Sequence, residues 1–370
     1  MYRNPGRSKV SGASALVCWV FVLALAAAPL SAQELGRQHQ GELINDISQG
    51  LREIYVFPEV AAEMEALLQR RFEGGDYDGL GSLAEFTGQL TEDLQSISHD
   101  LHLRVRPHAA WGEEGRRDAA EESRQQREQA RLTNYGFYRV ERLSGNIGYL
   151  DLRSFHDAEL AGATAVAAMN FLANSSALII DLRQNGGGSP SMIQLISSYF
   201  FEERKHLNTF YYRRANSYEE FWTHSKVQGP KMVGAPLYIL TSGRTFSAAE
   251  EFTYNLKHMK RATIIGETTG GGAHPVDFLI SDMGDGFYAS ISMPFGRAIN
   301  PITETNWEGT GVKPHIEVPA ADALERAHRE ALAEVASRSA GVRSRDAGSR
   351  SGAVRAGCSR TCTAQRVAHQ

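Results

Sequence analysis

The chain has 370 residues, 42% of them hydrophobic, and a formal net charge of −4. That length allows more than one packed core, and 22% charged with 9% aromatic residues excludes wholesale disorder. No basic stripe crosses the central sequence, so nucleic acid is not expected as a partner.

Residues 1–32 differ from the rest. Arg3, Arg7 and Lys9 precede an uncharged run from Val10 to Pro29, which exits through Leu30-Ser31-Ala32. This is the layout of a secretory signal peptide, with a retained membrane anchor as the competing reading. The small residues before Gln33, with no basic residue just after it, favour cleavage. A periplasmic or secreted protein without stable membrane insertion is therefore expected. Cys18 would leave with the signal, and Cys358 and Cys362 lie in the C-terminal tail. A folded core without cysteine has neither a disulfide framework nor a cysteine nucleophile.

Residues 33–110 read as a small helical domain. Leu43, Ile44, Ile47 and Leu51 recur at helical spacing, as do Val60, Met64, Leu67 and Leu68. Pro58 and Gly74-Gly75-Asp76 punctuate these helices, and a third is expected over Leu83–Ser96 with Phe86, Leu90 and Leu94 inside. Residues 111–134, rich in Glu, Arg, Gln and Ala without an apolar stripe, read as an exposed helix or a charged linker.

Residues 135–320 change character to an α/β core. Strands are expected at Asn146–Leu152, Ala177–Leu182, Pro236–Leu240, Ala262–Ile265 and Gly286–Met293, with helices at Ser189–Phe201 and Phe246–Met259. Such alternation implies parallel pairing. A C-terminal helix is expected at 321–338, and residues 339–370, rich in Ser, Arg, Gly and Ala, read as a disordered tail.

Chemistry concentrates in three places. In Thr241-Ser-Gly-Arg-Thr-Phe-Ser-Ala-Ala-Glu250 a strand runs through a turn into a helix that begins beside Ser247. Free N–H groups and the positive end of the helix dipole there would stabilise an oxyanion. Ser247 and Glu250 also fit a capping box, a purely structural role, and Ser242 and Thr245 are further candidate hydroxyls. In Ala177-Leu-Ile-Ile-Asp-Leu-Arg-Gln-Asn-Gly-Gly-Gly188 a buried strand empties into glycines able to bring backbone N–H groups close to a substrate. Ser98-His-Asp-Leu-His-Leu-Arg104 carries His99 and His102, which lack a third ligand in metal spacing. No metal and no cofactor is expected. A histidine beside a serine is the usual general base.

Five segments in order resemble the serine peptidase family of the C-terminal processing proteases, the tricorn core protease and the interphotoreceptor retinoid-binding protein. They are Gly148–Arg153, Asp181–Gly188, Thr241–Glu250, Gly266–Pro275 and Asn306–Pro314. The resemblance implies a crotonase-like core. The processing proteases place a lysine where this chain has Gly272, and carry a peptide-binding PDZ module for which only Gly112–Leu132 remains. The tricorn-like branch instead uses a serine, a histidine and a glutamate. Carried onto this sequence, these are Ser247 as nucleophile, His102 as base and Glu308 as the carboxylate partner, orienting His102 or positioning substrate. The resemblance also implies Gly187 and Ala248 N–H groups as oxyanion donors with Gly186 in the same loop, Glu250 and His274 in support, and His99 or His274 as fallback bases.

Two departures stand out: Leu101 replaces a glycine before His102, and His315 an aspartate after Pro314. The expected activity is peptide-bond hydrolysis on peptides or unfolded proteins, with oligomeric state left open. The rival expectations are a non-catalytic binder of hydrophobic small molecules and an esterase using the same residues.

Overall fold

The computed structural model describes residues 35–108 and 119–356, without side chains for 119–123 and 341–356. The expected signal peptide with Cys18, and the tail cysteines Cys358 and Cys362, lie outside the described residues. Among the described residues, no helix is long and apolar enough to cross a membrane.

Three helices open the described residues: α1 (Arg37–Glu53), α2 (Pro58–Gly74) and α3 (Leu83–Ser98). Each has a local cause. Proline sits in the first turn of α2, where its missing N–H costs nothing, and Gly75 ends that helix at φ 80°. Ser82 caps α3 by accepting the Glu85 N–H at 3.2 Å. Leu43, Ile44, Ile47 and Leu51 of α1, with Phe86, Leu90 and Leu94 of α3, form the apolar stripe foreseen from their spacing.

That stripe needs a surface to cover. The helices pack on an antiparallel sheet of order β1-β10-β9, made by β1 (Arg104–His108), β10 (Tyr288–Pro294) and β9 (Val276–Asp282). Val105, Ala289, Ile291 and Met293 join the helical residues in one cluster. The segment Gly286–Met293 was expected to extend a parallel core. It pairs antiparallel instead and contributes its alternate apolar residues to the helical lobe.

The central sheet has order β12-β8-β7-β4-β3-β2. Strands β3 (Ile147–Leu152), β4 (Ala177–Asp181), β7 (Leu237–Thr241), β8 (Thr263–Gly266) and β12 (Ile316–Glu317) run parallel, and β2 (Phe137–Leu143) pairs antiparallel with β3 at the edge. Alternation in these strands loads both faces. Leu150, Leu178, Ile180 and Ile239 meet α5 (Ala158–Leu172), α6 (Pro190–Ser197) and α7 (Ala248–His258). Tyr149, Ile179 and Leu240 meet Ala323, Ala327 and Ala331 of α8 (Ala323–Ala356). Three alanines at intervals of four let α8 lie close to the sheet, and the helix continues beyond 338 to Ala356, into the segment read as a disordered tail. A third sheet, β11-β5-β6, comprises β11 (Gly296–Ile299), β5 (His206–Tyr212) and β6 (Ser217–Trp222). Residues 119–132 of the charged segment form α4 (Ala119–Leu132).

Candidate active site

Parallel strands bring their C-terminal loops to one end of a sheet. The loop after β4 (Leu182–Gly188) and the loop after β7 (Ser242–Ser247) meet there and are stitched together. Ser242 Oγ donates to the Arg183 carbonyl at 2.7 Å, Thr245 Oγ1 to the Leu182 carbonyl at 2.8 Å, and the Phe246 N–H to the Asn185 carbonyl at 3.0 Å. Fully buried Asn185 ties the loop inward through its side-chain amide, donating to the Leu152 carbonyl at 2.9 Å. Two of the three candidate hydroxyls are therefore committed to structure. Ser247 is not.

Ser247 precedes α7 with φ 55° and ψ −122°. Such backbone costs a non-glycine residue about 1–3 kcal/mol and persists only where the surroundings impose it. The Glu250 N–H, which a capping hydroxyl would bind, goes to the Ser247 carbonyl at 2.8 Å. The Glu250 carboxylate accepts the Ser247 N–H at 2.9 Å, while the Ser247 hydroxyl makes no cap hydrogen bond. The strained turn presents that hydroxyl beside the first N–H of the helix, that of Ala248, which has no acceptor among the described residues.

Glu250, fully buried, holds this geometry. One carboxylate oxygen accepts the Ser247 and Gly272 N–H groups, each at 2.9 Å; the other accepts the Gly271 N–H at 2.7 Å and the Thr269 hydroxyl at 2.5 Å. Burial pushes its pKa up, and the four donors pull it back. It is a brace between the serine turn and the Gly270–Gly272 loop.

Gly187 differs from expectation. Its N–H donates to Asn185 Oδ1 at 2.9 Å, so it is taken and is not the free oxyanion donor foreseen from sequence. Its contribution is the missing side chain: at φ 115°, a Cβ would stand 2.8 Å from Ser247 Cβ and 3.1 Å from the Ala248 nitrogen. Gly186 and Gly188 are exposed and line the cavity at Ser247.

His102 follows α3 in a tight turn. Asp100 Oδ1 accepts the His102 N–H at 3.0 Å, an Asx-turn that sets the direction of the ring. The imidazole packs on Phe246 with ring centroids 4.6 Å apart, and its Nδ1 is buried without a hydrogen-bond partner. Burial pushes its pKa down to about 4, against the nearby Asp100 charge, so the ring is neutral at pH 7. His99 ends α3 in the left-handed conformation and is exposed.

His102 and Ser247 line the same two cavities, of about 710 and 230 Å³. A larger cavity of about 850 Å³, at Arg127, His156 and Asp157, contains neither of them. Gly272 closes in from the other side. A Cβ there would lie 2.6 Å from His102 Cε1 and 2.3 Å from Phe246 Cζ, so no lysine fits at this position without displacing the histidine.

The other carboxylates gather one step away. Asp100 Oδ2 lies 2.6 Å from His274 Nδ1, and Glu308 Oε2 lies 3.5 Å from the same nitrogen while accepting the Ala273 N–H. Glu308 thus bears on His274 and its loop, not on His102 by a direct hydrogen bond. Burial and the Asp100 charge push Glu308 up to about 7. For His274, burial works downward, but the Asp100 hydrogen bond outweighs it and the pKa is raised. Ligand atoms of Asp100, His274 and Glu308 fall within 4.8 Å of one another, close enough for a cation. The His274 Nδ1 is already held by the Asp100 carboxylate, so the trio reads as a hydrogen-bonded cluster.

Asp100, Asn185 and Thr269 lie inside the sequence motifs but carry no recognisable role there. Their spacing to glycines and a histidine was the only available signal.

Residues 146–318 match the model of peptidase family S41, and residues 31–134 match a model described as the N-terminal domain of peptidase S41 in eukaryotic IRBP. The chain belongs to peptidase family S41. This is a family of serine-type peptidases. Among solved structures, the chain is similar to a candidate peptidase from Parabacteroides merdae: 18% identity, 79% of this chain and 96% of that one covered, TM-score 0.54. A lipoprotein from Streptococcus agalactiae is similar at 15% identity, with 80% and 96% covered and a TM-score of 0.50. The photosystem II D1 C-terminal processing protease shares 22% identity over 48% of this chain and 45% of its own, with a TM-score of 0.38. The S41 chain thus spans under half of the length of that relative. The first two likenesses, at these identities, speak for the fold alone.

Proposed function

We propose that this S41 chain hydrolyses peptide bonds through an acyl-enzyme on Ser247, with His102 as general base. The observation that carries the reading is the uncommitted Ser247 hydroxyl, held in strained backbone at a helix N-terminus in a cavity that it shares with a neutral histidine. His102 takes the Ser247 proton as Oγ attacks the substrate carbonyl. The Ala248 N–H, with an N–H from the exposed glycines Gly186 or Gly188, stabilises the oxyanion. His102 then returns the proton to the leaving amine, and water activated by the same ring releases the acid. Glu308 acts through His274 and the Gly272–His274 loop that packs against the base. The core is read as a crotonase-like spiral, and residues 1–32 as an export signal that places the enzyme in the periplasm or outside the cell.

A fluorophosphonate probe, which phosphonylates activated serines with loss of fluoride, is expected to label Ser247 and no other residue. Labelling of another serine, or none in folded protein, would refute the assignment. Lack of turnover combined with tight uptake of a fatty acid or retinoid would return the binder reading.

The pH profile is a second test. With His102 at about 4, the base form persists down to about pH 4, so the acid limb of kcat/KM lies well below the usual histidine value of about 6.5. The sign follows from burial: desolvation penalises the imidazolium. The same shift costs stability as pH falls from about 6.5 through about 4, because the unfolded chain binds the proton first, so folding is followed by circular dichroism in parallel. An acid limb centred at about 6.5 in folded protein would refute the lowered pKa of His102.

Gly272→Ala is expected to lower kcat/KM by about 10- to 100-fold, since the added methyl must push His102 or Phe246 aside. An unchanged kcat/KM would mean that the position of the ring does not matter to the reaction.

A further inference from the structure

The sheet β1-β10-β9 has one face packed under the helices, through Val105, Ala289 and Ile291. Its other face is open. The register places Arg104 opposite Ser292 and Ser292 opposite Phe278, then Arg106 opposite Ser290 and Ser290 opposite Ile280. Since side chains two apart share a face, these six form one surface. Both arginines, both serines and Phe278 line the 710 Å³ cavity that contains His102 and Ser247.

The electrostatics of that wall are unbalanced. Among the described residues, no aspartate or glutamate lines the cavity. Arg104 is anchored by its Nε, which donates to the Leu101 carbonyl at 2.7 Å, leaving the outer guanidinium nitrogens without a carboxylate. Arg106 is exposed and has neither an ion pair nor a side-chain hydrogen bond among the described residues. The two cations are close enough to repel each other: after burial, Arg106 is the next cause of the lowered pKa of Arg104. Two uncompensated guanidinium groups side by side, in a chain of net charge −4, are costly unless an anion relieves them.

We propose that Arg104 and Arg106 form a carboxylate-binding subsite that selects peptides bearing an acidic side chain or a free C-terminus a few residues from the scissile bond. The proposal rests on the peptidase reading above. Guanidinium groups accept carboxylates in a forked pair of charge-assisted hydrogen bonds. The neighbouring serines offer further polar contacts, and Phe278, 66% exposed, supplies an apolar strip beside them. Substrate crossing this face would carry its anion to the arginines while its reacting carbonyl lies at Ser247.

The test uses peptides that differ only in Glu, Gln or Lys at one position, each with a free or an amidated C-terminus. Binding is read by fluorescence anisotropy on the full chain carrying Ser247→Ala, and kcat/KM on the active chain. We expect a carboxylate to improve both by about tenfold or more at low salt, with the gain shrinking as ionic strength rises. A gain that survives amidation assigns the side chain; one that is lost assigns the terminus. Arg106→Gln should remove most of the preference, and Arg106→Glu should turn it toward Lys. Arg106 serves as the variant because it lies further from His102 than Arg104 does. Equal binding of the Glu, Gln and Lys peptides with and without a free terminus, in a chain that hydrolyses them, would overturn the subsite alone. Hydrolysis of none, with the binding order intact, would strike the peptidase reading and leave the subsite standing.

Discussion

Ser247→Ala is expected to lower kcat/KM on a peptide substrate by about 10⁴-fold or more, while the melting temperature moves by no more than about 2 °C. The two halves of this result separate catalysis from capping. Were the hydroxyl an N-cap, its removal would cost about 1 kcal/mol of stability. Here it makes no cap bond, and the N–H of the same residue is satisfied by Glu250, which alanine leaves in place. Alanine also tolerates the backbone at φ 55° no worse than serine does. What is lost is the attacking oxygen. A marked fall in melting temperature with activity retained would show Ser247 to be a structural residue.

Glu250→Gln is expected to destabilise the protein by about 2–4 kcal/mol and to cut activity by at least about tenfold. The side chain keeps its shape, so the effect comes from donors and acceptors alone. Glu250 receives three backbone N–H groups and one hydroxyl. A glutamine must turn its NH₂ toward one of the two pairs. If it faces Ser247 and Gly272, two buried N–H groups lose their acceptor. If it faces Thr269 and Gly271, the Gly271 N–H is orphaned, and the Thr269 oxygen already accepts the Val312 N–H at 2.6 Å. Each unsatisfied buried donor costs about 1–3 kcal/mol. The same bonds fix Gly272 against His102, so the base moves when the brace fails. Thermal unfolding and kcat/KM of the variant check both effects. A melting temperature within about 1 °C of the parent would mean that the loop is held by something else.

Both outcomes depend on one feature of this S41 chain: the serine and the histidine come from segments far apart in sequence. Each was legible locally. The strand–turn–helix around Ser247 follows from the apolar run Leu237–Leu240, the small residues after it, and the helical spacing beyond. The turn at His102 follows from the end of α3 and the Asx-turn of Asp100. Parallel pairing in the core was expected from the alternation of strands with helices, and β3, β4, β7 and β8 pair that way.

Other elements gave weaker signals. Strands β5, β6 and β9 mix polar with apolar or aromatic residues on both faces, without the buried run that marks a central strand. Helix α5 is rich in alanine, and its apolar face is filled by small side chains, so its periodicity is faint. The resemblance implied Gly187 as an oxyanion donor, and a glycine-rich loop in a sequence does not say that the buried Asn185 will accept its N–H.

The sequence by itself determined the elements, the apolar faces that they bury, and the short list of hydroxyl and imidazole groups able to do chemistry, because these depend on spacing along the chain. Only the tertiary structure chose among them. It locked Ser242 and Thr245 into carbonyl contacts, left Ser247 free, turned Glu308 toward His274, and set two unpaired arginines on the wall beside the nucleophile. Those outcomes depend on which distant donors, acceptors and charges meet in a partly buried site, where each contact made or missed weighs more than it does along an open chain.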